Sequence, residues 1–422
     1  MITPSDLLKN KKILLGVTGS IAVYKSLELT RLFVKAGAEV RVVMSEASKK
    51  FVAPLSFEVL TSNKVLDDTN ESWTDDHNHI KATQWADLFV IAPATANTIA
   101  KLANAIADNM LLQCALAFPN SKIIAPSANT NMLQNPITKG NLKMLAVANY
   151  EIVNTQVKEL ACKTVGDGAM AEPLSIFWQS ARELLREEFW RDRRVVVTGG
   201  GTIEKIDDIR YLSNFSSGKM ASSLATSLYC KGADVNLIAT RFEDNIPQEM
   251  HTIDVESSDE MLEYLKDSIR IAKKGKLSKA TIMRDEQIHL IQKEPYLFMV
   301  AAVSDFVPKF AQDGKLKKEM LGDEFELTLK QNVDILSSID KKDITTIAFK
   351  AEMDKDTALS NASKMIDAKG VDAVCLNILK DSSSFGSDTN AIEFITPKNK
   401  ERLASKDKLS LSFEIIKHAK NL

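Results

Sequence analysis

Short apolar runs recur along the chain, each followed by a turn and then by residues with helical spacing. Residues 13–17 (ILLGV) are continuously apolar, as expected of a strand buried on both faces. Thr18, Gly19 and Ser20 form the next turn, and the helical stretch beyond it meets Gly37, a residue suited to ending a helix. A second strand is expected over residues 40–44 and others over 88–92 and 122–125, each running into a proline. The pattern restarts at 195–197, ahead of Thr198–Gly201. A helix is expected to run on from there to about Lys231 and Gly232, followed by strands at 235–238 and 297–300. Strands alternating with helices predict an α/β chain with parallel sheets and right-handed crossovers. The echo between KAGAEVRVV from Lys35 and KGADVNLI from Lys231 is explained by shared architecture, a helix end followed by a strand, without gene duplication.

The 422 residues exceed one typical domain of about 100–200 residues. The charge-dense stretch Arg182–Arg194 has few apolar residues after Leu185 and marks a boundary, giving domains 1–188 and 189–422. Residues 273–293 are polar and lysine-rich and read as an insertion or surface loop. Hydrophobic content of 45% and charged content of 26% fit a globular chain with real cores. A net charge of −2 and a pI near 6.3 argue against nucleic-acid or membrane-surface partners, which need a basic footprint. None of the four cysteines (Cys114, Cys162, Cys230, Cys375) sits in a C-x-x-C pair. Neither a disulfide framework nor a zinc site is suggested, and reduced thiols fit the cytoplasm. Met1–Lys12 is polar, unlike a signal peptide, and no apolar run reaches the ~18 residues of a membrane span.

A strand–glycine–helix junction presents free backbone N–H groups and the positive end of a helix dipole, so it binds anions. The first loop reads Gly16-x-x-Gly19-x-x-Ala22, and the second strand ends in Met44 and Ser45 without an acidic residue to hold a ribose. That disfavours NAD-type binding and suits a mononucleotide phosphate held by Gly19, Ser20 and Ser45. The corresponding strand of the second unit ends in Ala239 and Thr240, with the same absence. His79 precedes a strand and is able to move protons near neutral pH; viewed alone it also reads as a surface or cap histidine. Asn129 follows a strand, where open α/β sheets place ligands, and its amide suits a carboxylate or an N-cap. Cys162 lies among small residues, outside any strand pattern.

Taken together, these residues resemble the bifunctional phosphopantothenoylcysteine decarboxylase / phosphopantothenate–cysteine ligases of coenzyme A synthesis, from about Lys11 to about Pro397. The first half carries the glycine loop Gly16–Ala22, His79 ahead of Ile80, Ala86 and Asp87, the turn Ala92–Asn97, the phrase Pro126–Met132 and the dipeptide Ala161–Cys162. The resemblance implies two Rossmann-like domains, the first flavodoxin-like and binding FMN, with Gly19, Ser20, Ile21, Ser45, Ala94 and Thr95 at the cofactor. It implies oxidation of the substrate thiol to a thioaldehyde, loss of the adjacent carboxylate as carbon dioxide, and return of the electrons from reduced FMN. His79 would handle the proton at oxidation, Asn129 the carboxylate, and Cys162 would protonate the enethiol. Ala128 stands where the bifunctional family usually has methionine, and Lys163 and Thr164 follow the cysteine where it usually has glycine and aspartate.

The second half carries RYLSNFSSGK (210–219), AAVSDF (301–306), KLKK (315–318), NVDIL (332–336) and FKAE (349–352), which resemble the ligase motifs. They imply attack of the phosphopantothenate carboxylate on the α-phosphate of CTP, then displacement of CMP by cysteine. Lys315 and Mg²⁺ would neutralise charge in the first step, and Asn214 and Arg210 would serve the second. Gly199, Gly200, Ala301, Ala302, Asp305, Asn332, Asp334 and Phe349 would join Lys315 around the nucleotide. Asn377 is followed by Ile378 where the family has Asn-Asp. The resemblance also implies small-molecule partners only and a trimer-based dodecamer. Two other readings remain at this stage. One is a flavin prenyltransferase relative fused to an unrelated Rossmann unit. The other is an active ligase fused to a catalytically impaired flavin-binding regulatory domain.

Overall fold

The computed structural model describes residues 1, 3–159, 165–278, 288–317, 324–379 and 386–422. The chain divides into two compact units, one of Thr3–Leu185 with Ser278–His289, the other of Met1–Ile2, Arg186–Leu277 and Leu290–Leu422.

In the first unit β1 (Lys12–Val17), β2 (Glu39–Met44), β3 (Leu88–Ala94), β4 (Lys122–Pro126) and β5 (Tyr150–Ile152) form one sheet. Its order is β2-β1-β3-β4-β5 and every pairing is parallel, the flavodoxin-like arrangement. All seven residues of β3 are buried, which is why these strands read as unbroken apolar runs. Phe89, Ile91, Leu111 and Ile124 pack in one core, each large side chain stabilising the fold by about 1.5–3 kcal/mol when fully buried. The helix Val23–Lys35 stops where Gly37 adopts φ 88°. Beyond the sheet, β6 (Gln156–Glu159) and β7 (Val165–Ala169) pair antiparallel.

The second unit begins with β8 (Arg194–Gly199), followed by the short pair β9 (Ile203–Lys205) and β10 (Tyr211–Ser213), which is antiparallel. Here the structure departs from the sequence expectation. The chain after Gly201 first makes this ribbon, and the helix, Lys219–Cys230, starts only beyond Gly218 at φ 74°. Both arms of the ribbon are tied by a turn at Asp207, whose carboxylate accepts from the amides of Ile209 and Arg210 at 2.9 and 2.7 Å. Next come β11 (Asp234–Ala239), β12 (His251–Asp254), the two-residue pair β13 (Lys276–Leu277) and β14 (Leu290–Ile291), and β15 (Tyr296–Met299). After β16 (Phe306–Pro308) and β17 (Leu329–Gln331) come β18 (Thr345–Glu352), β19 (Ala373–Ile378), β20 (Thr389–Ile395) and β21 (Lys400–Asp407). The main sheet has the order β12-β11-β8-β15-β18-β19-β20-β21. The first six strands are parallel in the Rossmann order and the last two pair antiparallel at the edge,. This antiparallel edge was absent from the sequence expectation.

Gly232, at φ 94°, ends its helix as Gly37 does, so the echoed phrases occupy the same architectural step. No helix among the described residues is long and apolar enough to cross a membrane. At Gly199 an added Cβ would lie 2.4 Å from the Cβ of Ala221, so strand and helix touch there only because the side chain is absent. Gly199→Ala is expected to destabilise the second unit by about 1–3 kcal/mol through overpacking, measurable as a lower urea midpoint for that unit.

Candidate functional site

Each parallel sheet reverses its strand order once, between β1 and β3 in the first unit and between β8 and β15 in the second. Loops leave the two strands in opposite directions there and open a crevice at their carboxyl ends.

In the first unit this crevice is a cavity of about 560 Å³. Gly19, Ser20, Ser45 and Thr95 line it, with Thr18, Asn97, Lys101, Ser127 and Met132. The Thr18 hydroxyl donates to Pro93 O at 2.7 Å and accepts from Thr95 N at 3.1 Å, joining the two strand exits. The Ser20 and Ser127 hydroxyls bond at 2.9 Å. A Cβ on Gly19 would lie 2.5 Å from that of Ala47, so the loop lies directly against the turn after β2. The Ser45 hydroxyl is buried and has no partner among the described residues, which costs about 1–3 kcal/mol unless a ligand supplies the partner. Ile21 is exposed and Ala94 fully buried in the core, and neither lines the cavity. Thr18 and Ser127 were missed from sequence, although both lie within the phrases that drew attention.

His79 opens the helix His79–Trp85, capped by Asn78. Its Nδ1 meets Glu71 Oε1 at 2.7 Å, and its ring packs edge-on to Trp73. His79 is not among the cavity-lining residues. Asn129 caps the helix Thr130–Gln134 through Asn131 N at 2.9 Å, between the cavity residues Ala128 and Met132. The β6–β7 hairpin packs onto this phrase. Ala128 N donates to Gly168 O at 3.2 Å. A Cβ on Gly168 would lie 2.2 Å from Ala128 O, and one on Gly166 equally close to Thr130 Oγ1. Lys25, almost fully buried, donates to Met170 O at 3.0 Å and pairs with Glu172, anchoring the hairpin's exit. Cys162 lies outside the described residues, between β6 and β7. Cys114, Cys230 and Cys375 are buried, and burial pushes the Cys114 thiol up to about 12, so these three serve as core residues.

In the second unit the loops after β8 and β15 are stitched together. Ala302 N donates to Gly200 O at 2.8 Å, and Thr202 N to Ala302 O at 3.2 Å. Thr198 Oγ1 receives the amides of Val300 and Ala301 at 3.2 and 3.3 Å. Asn214 donates to Val303 O at 3.1 Å, while Asn332 donates to Ser304 O at 2.8 Å and its amide to Asp305 O. The structure thus gathers Gly199, Gly200, Ala301, Ala302, Asp305, Asn214 and Asn332. Phe349 sits on β18, one residue beyond the Met299–Ala348 pair. Asp334 accepts from Ser337 N and pairs with Lys369.

Arg210 pairs with Asp207 at 2.8 Å and donates to Leu316 O at 2.7 Å. Asp207 also accepts from Leu316 N at 3.1 Å, placing Lys315 beside this clamp. Burial raises the Asp207 carboxyl, but the amides of Ile209, Arg210 and Leu316 and the Arg210 charge outweigh it and hold the group at about 2. No cluster of three or more His, Cys, Asp or Glu able to hold a metal occurs among the described residues.

A flavodoxin-like unit with a glycine-lined crevice, followed by a Rossmann unit with a stitched crevice, defines a two-domain α/β protein with a switch-point crevice in each sheet. Residues 1–183 match the Flavoprotein family, and residues 190–274 and 272–422 match the DNA/pantothenate metabolism flavoprotein C-terminal domain. The coenzyme A biosynthesis bifunctional protein CoaBC of Bacillus subtilis is 35% identical over 97% of both chains. Those of Vibrio vulnificus and Borreliella burgdorferi are each 32% identical, over 98% of both chains and over 97% of this chain and 99% of the relative. The chain belongs to this family of bifunctional coenzyme A biosynthesis proteins. The unpaired Ser45 hydroxyl and the Gly19 cradle fit a phosphate-bearing flavin in the first crevice.

Two outcomes are expected. Ser45→Ala should weaken flavin binding about tenfold, by ~1.4 kcal/mol, while leaving the flavin-free protein no less stable; fluorescence titration and thermal melting measure these. For Asp207 the folded value lies below the ordinary 3.8, so its stabilisation is complete above that value and fades as the pH falls toward 2. Asp207→Asn should therefore lower the second unit's unfolding midpoint at pH 7, and the difference should shrink steadily as the pH falls from about 3.8 to about 2,.

Proposed function

We propose that this chain joins 4′-phosphopantothenate to cysteine with CTP and then decarboxylates the product to 4′-phosphopantetheine with FMN. The observation that carries this reading is the pair of switch-point crevices on one chain, the first with an unpaired hydroxyl in an anion cradle, the second bridged by Asn214.

In the second unit the carboxylate attacks the α-phosphate of CTP, giving an acyl-CMP and pyrophosphate. Lys315 counters the charge as two anions meet, and Mg²⁺ arrives with the triphosphate as part of the substrate. Gly199, Gly200, Ala301, Ala302, Asp305, Asn332, Asp334 and Phe349 surround the nucleotide. The cysteine amine then displaces CMP, with Asn214 and Arg210 at the acyl group.

In the first unit FMN, when bound, supplies the two-electron oxidation of the thiol that loosens the adjacent carboxylate, and takes part in the matching reduction. Gly19, Ser20 and Ser45 hold its phosphate, with Thr95 alongside. Glu71 accepts the Nδ1 proton of His79, which leaves Nε2 with the lone pair that takes a proton. Asn129 holds the substrate carboxylate, and Cys162 returns a proton to the enethiol. The reading extends to a trimer-based dodecamer, with exposed apolar residues of the first unit such as Leu55 and Val59 available for contacts between copies. The reading places the protein in the cytoplasm, with small molecules as its substrates and no nucleic-acid or membrane partner.

Purified yellow protein given 4′-phosphopantothenate, cysteine, CTP and Mg²⁺ should release CMP, pyrophosphate and carbon dioxide. Cys162→Ser should continue to release CMP, while carbon dioxide release halts after a single turnover per flavin and the decarboxylated enethiol accumulates. Folded, flavin-bound protein that yields neither CMP nor carbon dioxide would overturn the reading.

A further inference from the structure

We propose that Asp207 is a positioning residue for nucleotide activation: its buried carboxylate, with Arg210, fixes the Gly314–Leu316 backbone and so aims Lys315 at the triphosphate. The inference rests on the reading of Lys315 given above.

A lysine in an irregular segment loses much rotamer and backbone freedom when it meets a phosphate. Residues 311–317 have no helix or strand to hold them. Their backbone is instead bound to one short stretch, 206–210. Gln312 N donates to Ile206 O at 3.1 Å, Gly314 N to Asp208 Oδ2 at 2.8 Å and Leu316 N to Asp207 Oδ2 at 3.1 Å. Arg210 closes the set through Leu316 O at 2.7 Å. Lys315 is thus flanked on both sides by tethered amides, while its own side chain is exposed.

The same stretch continues into the nucleotide loop. After Arg210 come the three residues of β10 and then Asn214, which donates to Ala302 O and Val303 O. A Cβ on Gly201 would lie 2.6 Å from Asn214 O, so this end has no slack either. Residues 207–214 therefore form a strut from the lysine segment to the β15 loop. Its near end depends on a carboxylate with no exposed surface on its side chain. Asparagine at 207 keeps the shape and one acceptor. It places an N–H where Arg210 and Leu316 N now donate, or loses the bonds to Ile209 and Arg210 amides.

The test uses the full-length, flavin-bound protein and follows pyrophosphate release from CTP and 4′-phosphopantothenate for Asp207→Asn, Lys315→Ala and the double variant. The assay is run well below the urea midpoint measured for the second unit of each variant, and an unchanged KM for CTP is the control that this unit is folded. Asp207→Asn is expected to lower kcat for pyrophosphate release about 100-fold, the scale of a misplacement of about 1 Å, with KM for CTP little changed. Hydrogen exchange at the Leu316 amide should quicken. In the Lys315→Ala background the second substitution should cost nothing further, because both act through one group. Asp208→Asn, an exposed change that loosens only Gly314, should give a smaller loss in the same direction. Losses that multiply in the double variant, or full activity of Asp207→Asn where Lys315→Ala is impaired, would overturn the positioning role alone. Full activity of Lys315→Ala would remove the reading of Lys315 and the inference with it.

Discussion

Loops leaving adjacent parallel strands in opposite directions must satisfy their backbone groups without a continuing ladder, and the second unit does so by bonding the two loops to each other. The bonds Ala302 makes, donating to Gly200 O and accepting from Thr202 N, extend the β8–β15 contact past the end of the sheet. Every other element of that crevice is hung from them. Asn214 and Asn332 bind the carbonyls of Val303 and Ser304, and Asn214 also reaches Ala302 O. The ribbon β9–β10 carries the chain from Gly201 to the Asp207 turn, and Gly218 admits the helix that packs on β8. In the first unit a side chain does the same work, the Thr18 hydroxyl linking Pro93 and Thr95 across the reversal.

The two crevices differ in what they leave unsatisfied. In the first, the Ser45 hydroxyl is buried without a partner, and the hairpin β6–β7 rests on the Asn129 phrase through contacts that only glycine permits. The space for a ligand is therefore defined by rigid backbone. In the second, the loops after β8 and β15 pair their backbone groups with each other, and Lys315 lies on a segment without regular structure. One crevice keeps an unmet hydrogen-bonding group for a ligand; the other satisfies its backbone internally and leaves its lysine segment free of regular structure.

Much of this was legible in the sequence, for reasons that differ by element. Strands buried on both faces announce themselves as apolar runs, and Gly37 and Gly232 mark helix ends because the backbone there is left-handed. Gly19, Ser20 and Ser45 were legible as a loop because an anion cradle is local. The ribbon at 203–213 was not, since its strands are three residues each and its turn is held by one aspartate. The Asp207–Leu316 contact spans 109 residues, so no local pattern could report it. The same holds for Glu71 beside His79, whose partnership depends on the path of an intervening loop.

The stretch between the helix Ser258–Ala272 and β15 enters and leaves through the paired strands β13 and β14, with Lys276 opposite Ile291. The C-terminal family domain matches in two segments that overlap at 272–274. Because the two ends are already neighbours, lengthening what lies between them costs only the slow logarithm of loop closure, ~0.6 kcal/mol for each doubling. The stem is thus a port at which a foreign segment or reporter can be spliced into the chain while β13 and β14 hold its two ends together.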